Sequence, residues 1–158
     1  MTTEACAIPR AKEFKYRVEF NGLPVSLCAE FDPGERTHGV TEHMGAGQNF
    51  ACKEVGHIKF ANAHMKMVVP LEGEGRDFWE SWMDQAQDPS TGNGGMPANY
   101  RRNFSMYELK PDGNPSRVWE FYGAFPVSYK PGNRSSQGDK DVIDDISIAY
   151  AWREMRLL

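Results

Sequence analysis

The sequence predicts a mainly β fold: an antiparallel β-sandwich or barrel-like subunit with one α-helix. Three observations carry that prediction. Several segments alternate apolar and polar residues with a period of two, as half-buried strands do. Turn signals rich in glycine, proline and asparagine separate those segments. Only one stretch, RDFWESWMDQAQ, shows a helical stripe. At 158 residues, 40% of them hydrophobic and 12% aromatic, the chain suits one domain with a real core, spanning 1–158.

The opening MTTEACAIPRAKEF has no apolar stretch of signal-peptide length, and residues 1–11 are expected to be extended. In the next segment Phe14, Tyr16, Val18 and Phe20 alternate with Lys15, Arg17 and Glu19, a half-buried strand. Asn21-Gly22 then offers the two positive-φ positions of a tight turn, and Leu23, Val25 and Leu27 begin a return strand. Residues 32–56 carry Pro33, Gly34, Gly39, Gly45, Gly47 and Gly56 and few large apolar residues. A loop that long inside a compact domain needs a purpose, and an arm or hairpin projecting from the domain would supply one.

A third strand is expected over 57–69, with Met65, Met67 and Val69 on one face and Asn62, His64 and Lys66 on the other. The helical stripe comprises Phe78, Trp79, Trp82, Met83 and Ala86, and Asp88-Pro89 ends it. A strand over 99–109, the turn PDGN and a strand over 117–129 follow. That last strand, VWEFYGAFPVSY, sets Trp119, Phe121, Phe125, Val127 and Tyr129 at every second place, broken by Gly123. Pro126 cannot donate a ladder hydrogen bond and belongs at an edge or bulge. After the polar loop KPGNRSSQGDKD, a final strand over 142–152 places Ile146, Ile148, Tyr150 and Trp152 on one face.

Composition and motifs exclude several function classes. The net charge of −4, with 18 basic and 22 acidic residues mixed along the chain, lacks a nucleic-acid footprint. Cys6, Cys28 and Cys52 are an odd number at unrelated spacings and form no disulfide framework. No apolar run is long enough to span a membrane, so no membrane anchor is expected. His38 and His43 sit in the glycine-rich loop, and His57 and His64, seven apart, would point to opposite faces of a regular strand. Cys52 adds no second cysteine pair, so ordinary surface histidines fit better than a zinc site. No GxSxG element, cysteine–histidine signature or dinucleotide fingerprint occurs. Asp144-Asp145 reads as one solvated and one interfacial carboxylate, and Phe78, Trp79 and Trp82 as core rather than as a base-stacking platform. No catalytic residue, metal ligand or cofactor is expected.

What remains is a packing problem. One helix covers only part of the apolar faces, and at least one sheet edge is open. Open edges invite pairing with another chain, and a closed ring of such domains would remove them. The polar faces, Lys15, Arg17 and Glu19 on one strand and Asn62, His64 and Lys66 on another, could then line a wet interior.

Over residues 14–153 the chain resembles the tail tube proteins of contractile-tailed phages and related contractile injection systems. The resemblance rests on the order of several motifs: FKYRVEFNGLPV, an opening hairpin around an Asn-Gly turn; EHMGAGQNFACKEVGHIKF, a glycine-containing segment leading into a strand; DFWESWMDQA, a short helix with aromatics around tryptophan; VWEFYGAFPVSY, a tryptophan strand with an apolar-Pro-Val step; and DVIDDISIAYAW, a terminal strand of acidic and aliphatic residues. The early loop FDPGERTHGVTEH lacks the family's Ser-Gly-Leu step.

The resemblance implies a structural, non-enzymatic tube subunit. Six copies make a ring, and rings stack into a hollow tube that conducts DNA or protein cargo when a sheath contracts. Its partners would be itself, sheath and baseplate proteins, and cargo passing without sequence-specific binding. The location implied is a virion tail or injection-particle tube assembled in the host bacterial cytoplasm. The arm at 32–56 would contact the neighbouring ring through Gly39, Glu42, His43, Gly45, Gly47, Gln48, Asn49 and Lys53. Lys15, Arg17, Glu19, Asn62, His64 and Lys66 would face the lumen, and Phe14, Tyr16, Phe78, Trp82, Trp119, Phe121 and Phe125 would form the core. Alternatives are a baseplate protein that initiates the tube, a tube protein of a secretion machine, a small β-barrel enzyme or ligand-binding domain with a pocket near Trp119 and Tyr122, and a monomeric interaction module using the 32–56 loop.

Overall fold

A computed structural model describes residues 10–12, 14–20, 28–71 and 76–158. In chain order the elements are β1 (Tyr16–Glu19), β2 (Cys28–Asp32), β3 (Arg36–His43), β4 (Cys52–Phe60), β5 (Ala63–Val68), α1 (Phe78–Ala86), α2 (Pro97–Tyr100), β6 (Arg102–Leu109), β7 (Pro115–Lys130), β8 (Ile143–Ala149) and β9 (Trp152–Leu157). Every strand pairing is antiparallel. The turn Asn21-Gly22 and residues 23–27 lie outside the described residues, and the strand that follows them, β2, pairs with β5 and not with β1 as a hairpin would require.

The strands form two half-sheets that share one long strand. A front sheet runs β1-β6-β7-β9 and a back sheet runs β7-β8-β5-β2. The first part of β7 pairs with β6 and β9, and its second part pairs with β8. A strand can switch sheets in this way where a bend or bulge turns it. Gly123 supplies the bend with φ +65°, a conformation that a side chain resists. A second irregularity falls between Pro126 and Ser128, where the proline offers no N–H to the ladder.

Between the sheets lies one aromatic core. Phe20, Phe104 and Phe121 stack in a column, with successive ring centroids 4.4 Å apart. Phe31 and Tyr150 meet Phe121 edge-on from the back sheet, at 5.8 and 5.0 Å. Helix α1 contributes Trp79 and Trp82, both fully buried and stacked at 5.7 Å. Their N–H groups are satisfied, Trp79 by Met67 Sδ at 3.2 Å and Trp82 by the Tyr100 carbonyl at 2.5 Å. A buried indole needs such a partner.

Several segments depart from the strand pattern expected of the sequence. The segment 57–69 is two strands, because the chain turns at Ala61 and Asn62; only β5 keeps the expected faces, with Met65 and Met67 buried and His64 and Lys66 exposed. Residues 97–100 form a helical turn begun by Pro97, a position proline favours, so the following strand starts at Arg102. The final strand is broken at Tyr150 and Ala151. Tyr150 turns into the core while Trp152 lies on the opposite face, stacked on Tyr122 at 4.0 Å. The same change of side occurs in β7, where Phe121 and Ala124, three apart, are both fully buried. Both strands of the β7–β8/β9 ribbon turn together at the Gly123 bend, so a simple period of two fails across it.

Of the seven expected core residues, Trp82 and Phe121 are fully buried, and Tyr16, Phe78, Trp119 and Phe125 pack against the core from partly buried positions. Phe14 differs: it precedes β1 and is 75% exposed.

Candidate assembly surfaces

Among the described residues, strands β3 and β4 pair only with each other, forming a two-stranded arm. The arm accounts for the glycine-rich stretch. Gly39 and Gly56 cross at a bulge between the pairs His38–Ile58 and Val40–Val55, where a Cβ on Gly56 would come within 3.1 Å of the Gly39 backbone. Beyond the bulge, Glu42 pairs with Lys53 at 3.7 Å and His43 with Glu54 at 4.0 Å. At the tip the Gln48 side chain accepts a hydrogen bond from Gly45 N–H at 2.9 Å, and Gly47 and Asn49 are exposed beside it. The expected arm residues therefore all lie on this one hairpin.

The arm's base is clamped to the domain. Arg153 donates to the carbonyls of Pro33 and Gly34 at 2.8 and 2.6 Å, and Tyr150 donates to Pro33 at 3.0 Å. Gly34, at φ +83°, lies against the Ala61 and Asn62 carbonyls, where a Cβ would come within 2.6 Å. Phe60 closes the joint against Tyr150 at 5.6 Å. Farther out the arm has an apolar face of its own. Strand alternation and the register put Val40, Val55 and Ile58 on one side. They are 63%, 72% and 49% exposed, His38 and the Glu42–Lys53 pair stand on the same side by the same register, and Met44 and Phe50 are exposed near the tip. The low density of large apolar residues in 32–56 concealed this face from the sequence, since only the hairpin register brings those few together.

The two polar strand faces lie on different sheets. Arg17 and Glu19 sit on the outer face of the front sheet, with Arg17 over the Tyr107 ring at 4.8 Å. Lys15 stands just before them, and its carbonyl accepts from Leu109 at 3.0 Å. The same face carries Glu120, Tyr122, Glu154 and Arg156. Tyr122 O–H donates to Glu120 at 2.6 Å and to Glu154 at 2.8 Å, and Arg156 pairs with Glu120 at 2.5 Å. The hydrogen bond from Tyr122, helped by the Arg156 charge, holds the Glu120 carboxyl below its usual range. His64 and Lys66 instead lie on the outer face of the back sheet, where His64 meets Ser147 at 2.8 Å and Lys66 meets Glu30 at 3.6 Å. They line a shallow depression of about 420 Å³ with Asp32, Ser128, Lys130 and Asp145. Asn62 is exposed in the turn before β5. Because the two sheets share the core between them, these outer faces point away from each other, and the expected lumen residues divide into two groups.

The acidic pair separates as alternation requires. Asp145 faces solvent, and Asp144 is 1% exposed. Asp144 accepts from Tyr129 O–H at 2.5 Å and Gly132 N–H at 2.8 Å, which ties the polar loop after β7 to β8. Around Trp119, where a pocket was the alternative, the indole N–H donates to Glu108 at 3.1 Å and Arg117 and Arg153 stack on the ring at 5.5 and 5.3 Å. Among the described residues no group of three His, Cys, Asp or Glu side chains is placed to hold a metal ion, and no helix is long and apolar enough to cross a membrane.

Comparison with curated proteins finds no match. Among solved structures, a chain of the cryo-EM structure of an extracellular contractile injection system, the PVC sheath–tube complex in the extended state, shares the fold. Its TM-score is 0.74 at 12% identity, covering 100% of this chain and 99% of that one. A chain of the anti-feeding prophage tube-terminating cap gives a TM-score of 0.75 at 13% identity over 100% of both chains. A chain of the six-fold symmetrised anti-feeding prophage baseplate gives 0.62 at 14% identity, covering 89% of this chain and 90% of that one. Identities this low establish the fold alone. The family is established by sequence: the model of the T4-like virus tail tube protein gp19 matches residues 12–152, nearly the whole length. With its two-sheet domain, its packed helix α1 and its projecting hairpin, this chain belongs to the tail tube family of T4-like virus gp19.

Proposed function

We propose that the chain is the repeated subunit of a hollow tube, assembled as six-membered rings that stack, and that the β3–β4 arm makes the contact between rings. The observation that carries this reading is the arm's exposed apolar face. Val40, Val55 and Ile58 are half to three-quarters exposed on a hairpin whose strands, among the described residues, pair only with each other. A two-stranded ribbon is marginal alone, and an apolar strip at its surface marks an interaction site. A neighbouring copy in the next ring is the occupant that family membership favours.

In that tube, a front or back sheet continued from copy to copy forms the wall, and a sheath contracting outside drives it forward. Baseplate and sheath proteins are its partners. Cargo, DNA or protein, passes through the lumen held by no specific site, and assembly takes place in the host bacterial cytoplasm. No step of chemistry is assigned to the chain. The extended, clamped arm favours the repeated subunit over a tube initiator, since a repeated unit needs the same contact at every ring.

Negative-stain microscopy of the purified protein tests the reading: hollow tubes or six-fold rings are expected, and a strictly monomeric species at high concentration would sink it. Deletion of residues 40–50 is expected to leave a folded subunit that forms rings but no longer stacks. Tubes of unchanged length from that variant would give the arm another role.

A further inference from the structure

We infer that Arg153 sets the angle of the β3–β4 arm within the single chain, so that the arm is an ordered strut before one ring meets another. The consequence for stacking rests on the tube-subunit reading, whereas the fastening of the arm does not.

The arm leaves the domain by two roots, residues 33–35 before β3 and 61–62 after β4. Ala61 N–H bonds the Glu35 carbonyl at 2.8 Å and ties the roots to each other. That bond closes the ribbon without fixing its direction. Direction requires contacts from the domain to both legs, and one side chain makes them. Arg153, half-buried on β9, donates from Nη1 to the Pro33 carbonyl at 2.8 Å and to the Gly34 carbonyl at 2.6 Å, before β3. The same guanidinium lies over the ring of Phe60, the last residue of β4, at 5.8 Å, and over Trp119 of β7 at 5.3 Å. It therefore holds one leg by hydrogen bonds and the other by its flat face, against the front sheet.

The backbone of the first root has no slack. Pro33 has no N–H, and its carbonyl accepts from both Arg153 and Tyr150. Gly34 N–H donates to Asp32 Oδ1 at 3.0 Å, and the Gly34 carbonyl accepts from Arg153. Swinging the arm would strip charge-assisted hydrogen bonds from carbonyls that are themselves half-buried, and buried backbone groups must stay paired.

The arm is also a long lever. Strand β3 has eight residues, roughly 26 Å at about 3.3 Å each. A turn of about 10° at the root would move the tip by about 4–5 Å, on the order of one inter-strand spacing. Displaced that far, Val40, Val55 and Ile58 would miss the surface they meet. An arm already set loses less freedom on binding, which suits a contact repeated at every ring. Arginine is the residue this joint requires. Among the described residues Arg153 forms no ion pair with a carboxylate, so its grip comes from the donor fork and the planar face, and lysine has neither.

Double electron–electron resonance tests the setting of the arm in a chain whose Cys6, Cys28 and Cys52 are replaced by alanine. Spin labels go on Asn49→Cys near the tip and Lys110→Cys on the domain, both exposed positions. Labelled chains are diluted into unlabelled ones, and the unstacked fraction, single chains or rings, is isolated by size exclusion. With Arg153 present, one narrow distance distribution is expected. Arg153→Met and Arg153→Lys are each expected to widen it at least twofold. In the native background the same two substitutions are expected to leave rings intact and to shorten tubes at least tenfold in electron micrographs. A broad distribution with Arg153 present would mean that the arm orders only on contact, and would overturn the inference. A width unchanged in Arg153→Met would do the same even if Tm fell, since Arg153 would then stabilise the fold without aiming the arm. Tubes of native length from both variants would overturn Arg153's part in stacking and leave the tube reading standing. A narrow distribution in a native protein that forms neither rings nor tubes would overturn the tube reading and uphold the fastening.

Discussion

Replacing Gly123 by alanine tests whether the bend in β7 holds the two sheets together. Gly123 sits at φ +65°, and an L residue in the left-handed region costs about 1–2 kcal/mol. The new methyl group would lie 3.2 Å from Ala151 Cβ on the paired strand, tighter than ordinary contact. That strand cannot retreat freely, because Ala151 N–H bonds the Tyr122 carbonyl at 2.9 Å. Alanine also stiffens the unfolded chain, which offsets roughly 0.4–1 kcal/mol. With about 1 kcal/mol or more for the crowded contact, the net loss of about 2 kcal/mol lowers Tm by about 4–8 °C for a chain of this size. Gly113→Ala separates strain from contact, because Gly113 has φ +91° and its added Cβ would meet nothing within 4 Å. Thermal unfolding followed by circular dichroism should rank native above Gly113→Ala, and Gly113→Ala above Gly123→Ala. A Gly123→Ala variant melting at or above the Gly113→Ala variant would refute the reasoning, since the crowded corner would then cost nothing.

Asp144→Ala leaves Tyr129 O–H and Gly132 N–H without their shared acceptor; a loss of about 1–3 kcal/mol and faster proteolysis within 131–142 are expected, checked by urea unfolding and limited trypsin digestion. Acid should weaken the front sheet. Burial alone would raise the Glu108 carboxyl, but hydrogen bonds from Arg117 and Trp119 outweigh it and hold the group low, and Tyr122 and Arg156 do the same for Glu120. Because both values are depressed in the folded state, the unfolded chain binds protons first. Their stabilisation is complete above the ordinary glutamate value of about 4.3 and is lost as pH falls through the lowered folded values. The urea midpoint should therefore fall below that pH, and Glu108→Gln should flatten the fall. Equal acid sensitivity in the variant would count against this account.

Much of the fold is legible because the relevant signals are local. Tyr16 and Val18 alternate with Arg17 and Glu19 over a few residues, and Trp79 and Trp82 recur at helical spacing, so their burial follows from strand and helix geometry. The arm is legible as a long glycine-rich stretch, though not as a hairpin with an apolar face. That face depends on the bulge at Gly39, Gly56 and His57, which sets which residues of β3 and β4 stand together.

The sequence by itself determined the class of fold, the helix and the strands around Tyr16, Met65, Trp119 and Ile146, and membership in the tube family, all of which rest on side-chain order along the chain. The tertiary structure decided what order alone leaves open. It showed that β7 serves both sheets, that Gly123 and Ala151 turn both strands of the ribbon at once, and that Trp152 therefore leaves the face of Ile148 and Tyr150. It also separated Arg17 from His64, placing two similar polar faces on opposite sides of one core. The physical reason is that alternation fixes which side of its own strand a residue occupies. Which way that side faces depends on pairing between segments as distant as Tyr16 and Glu108, or Ala63 and Ile148, and no local period encodes it.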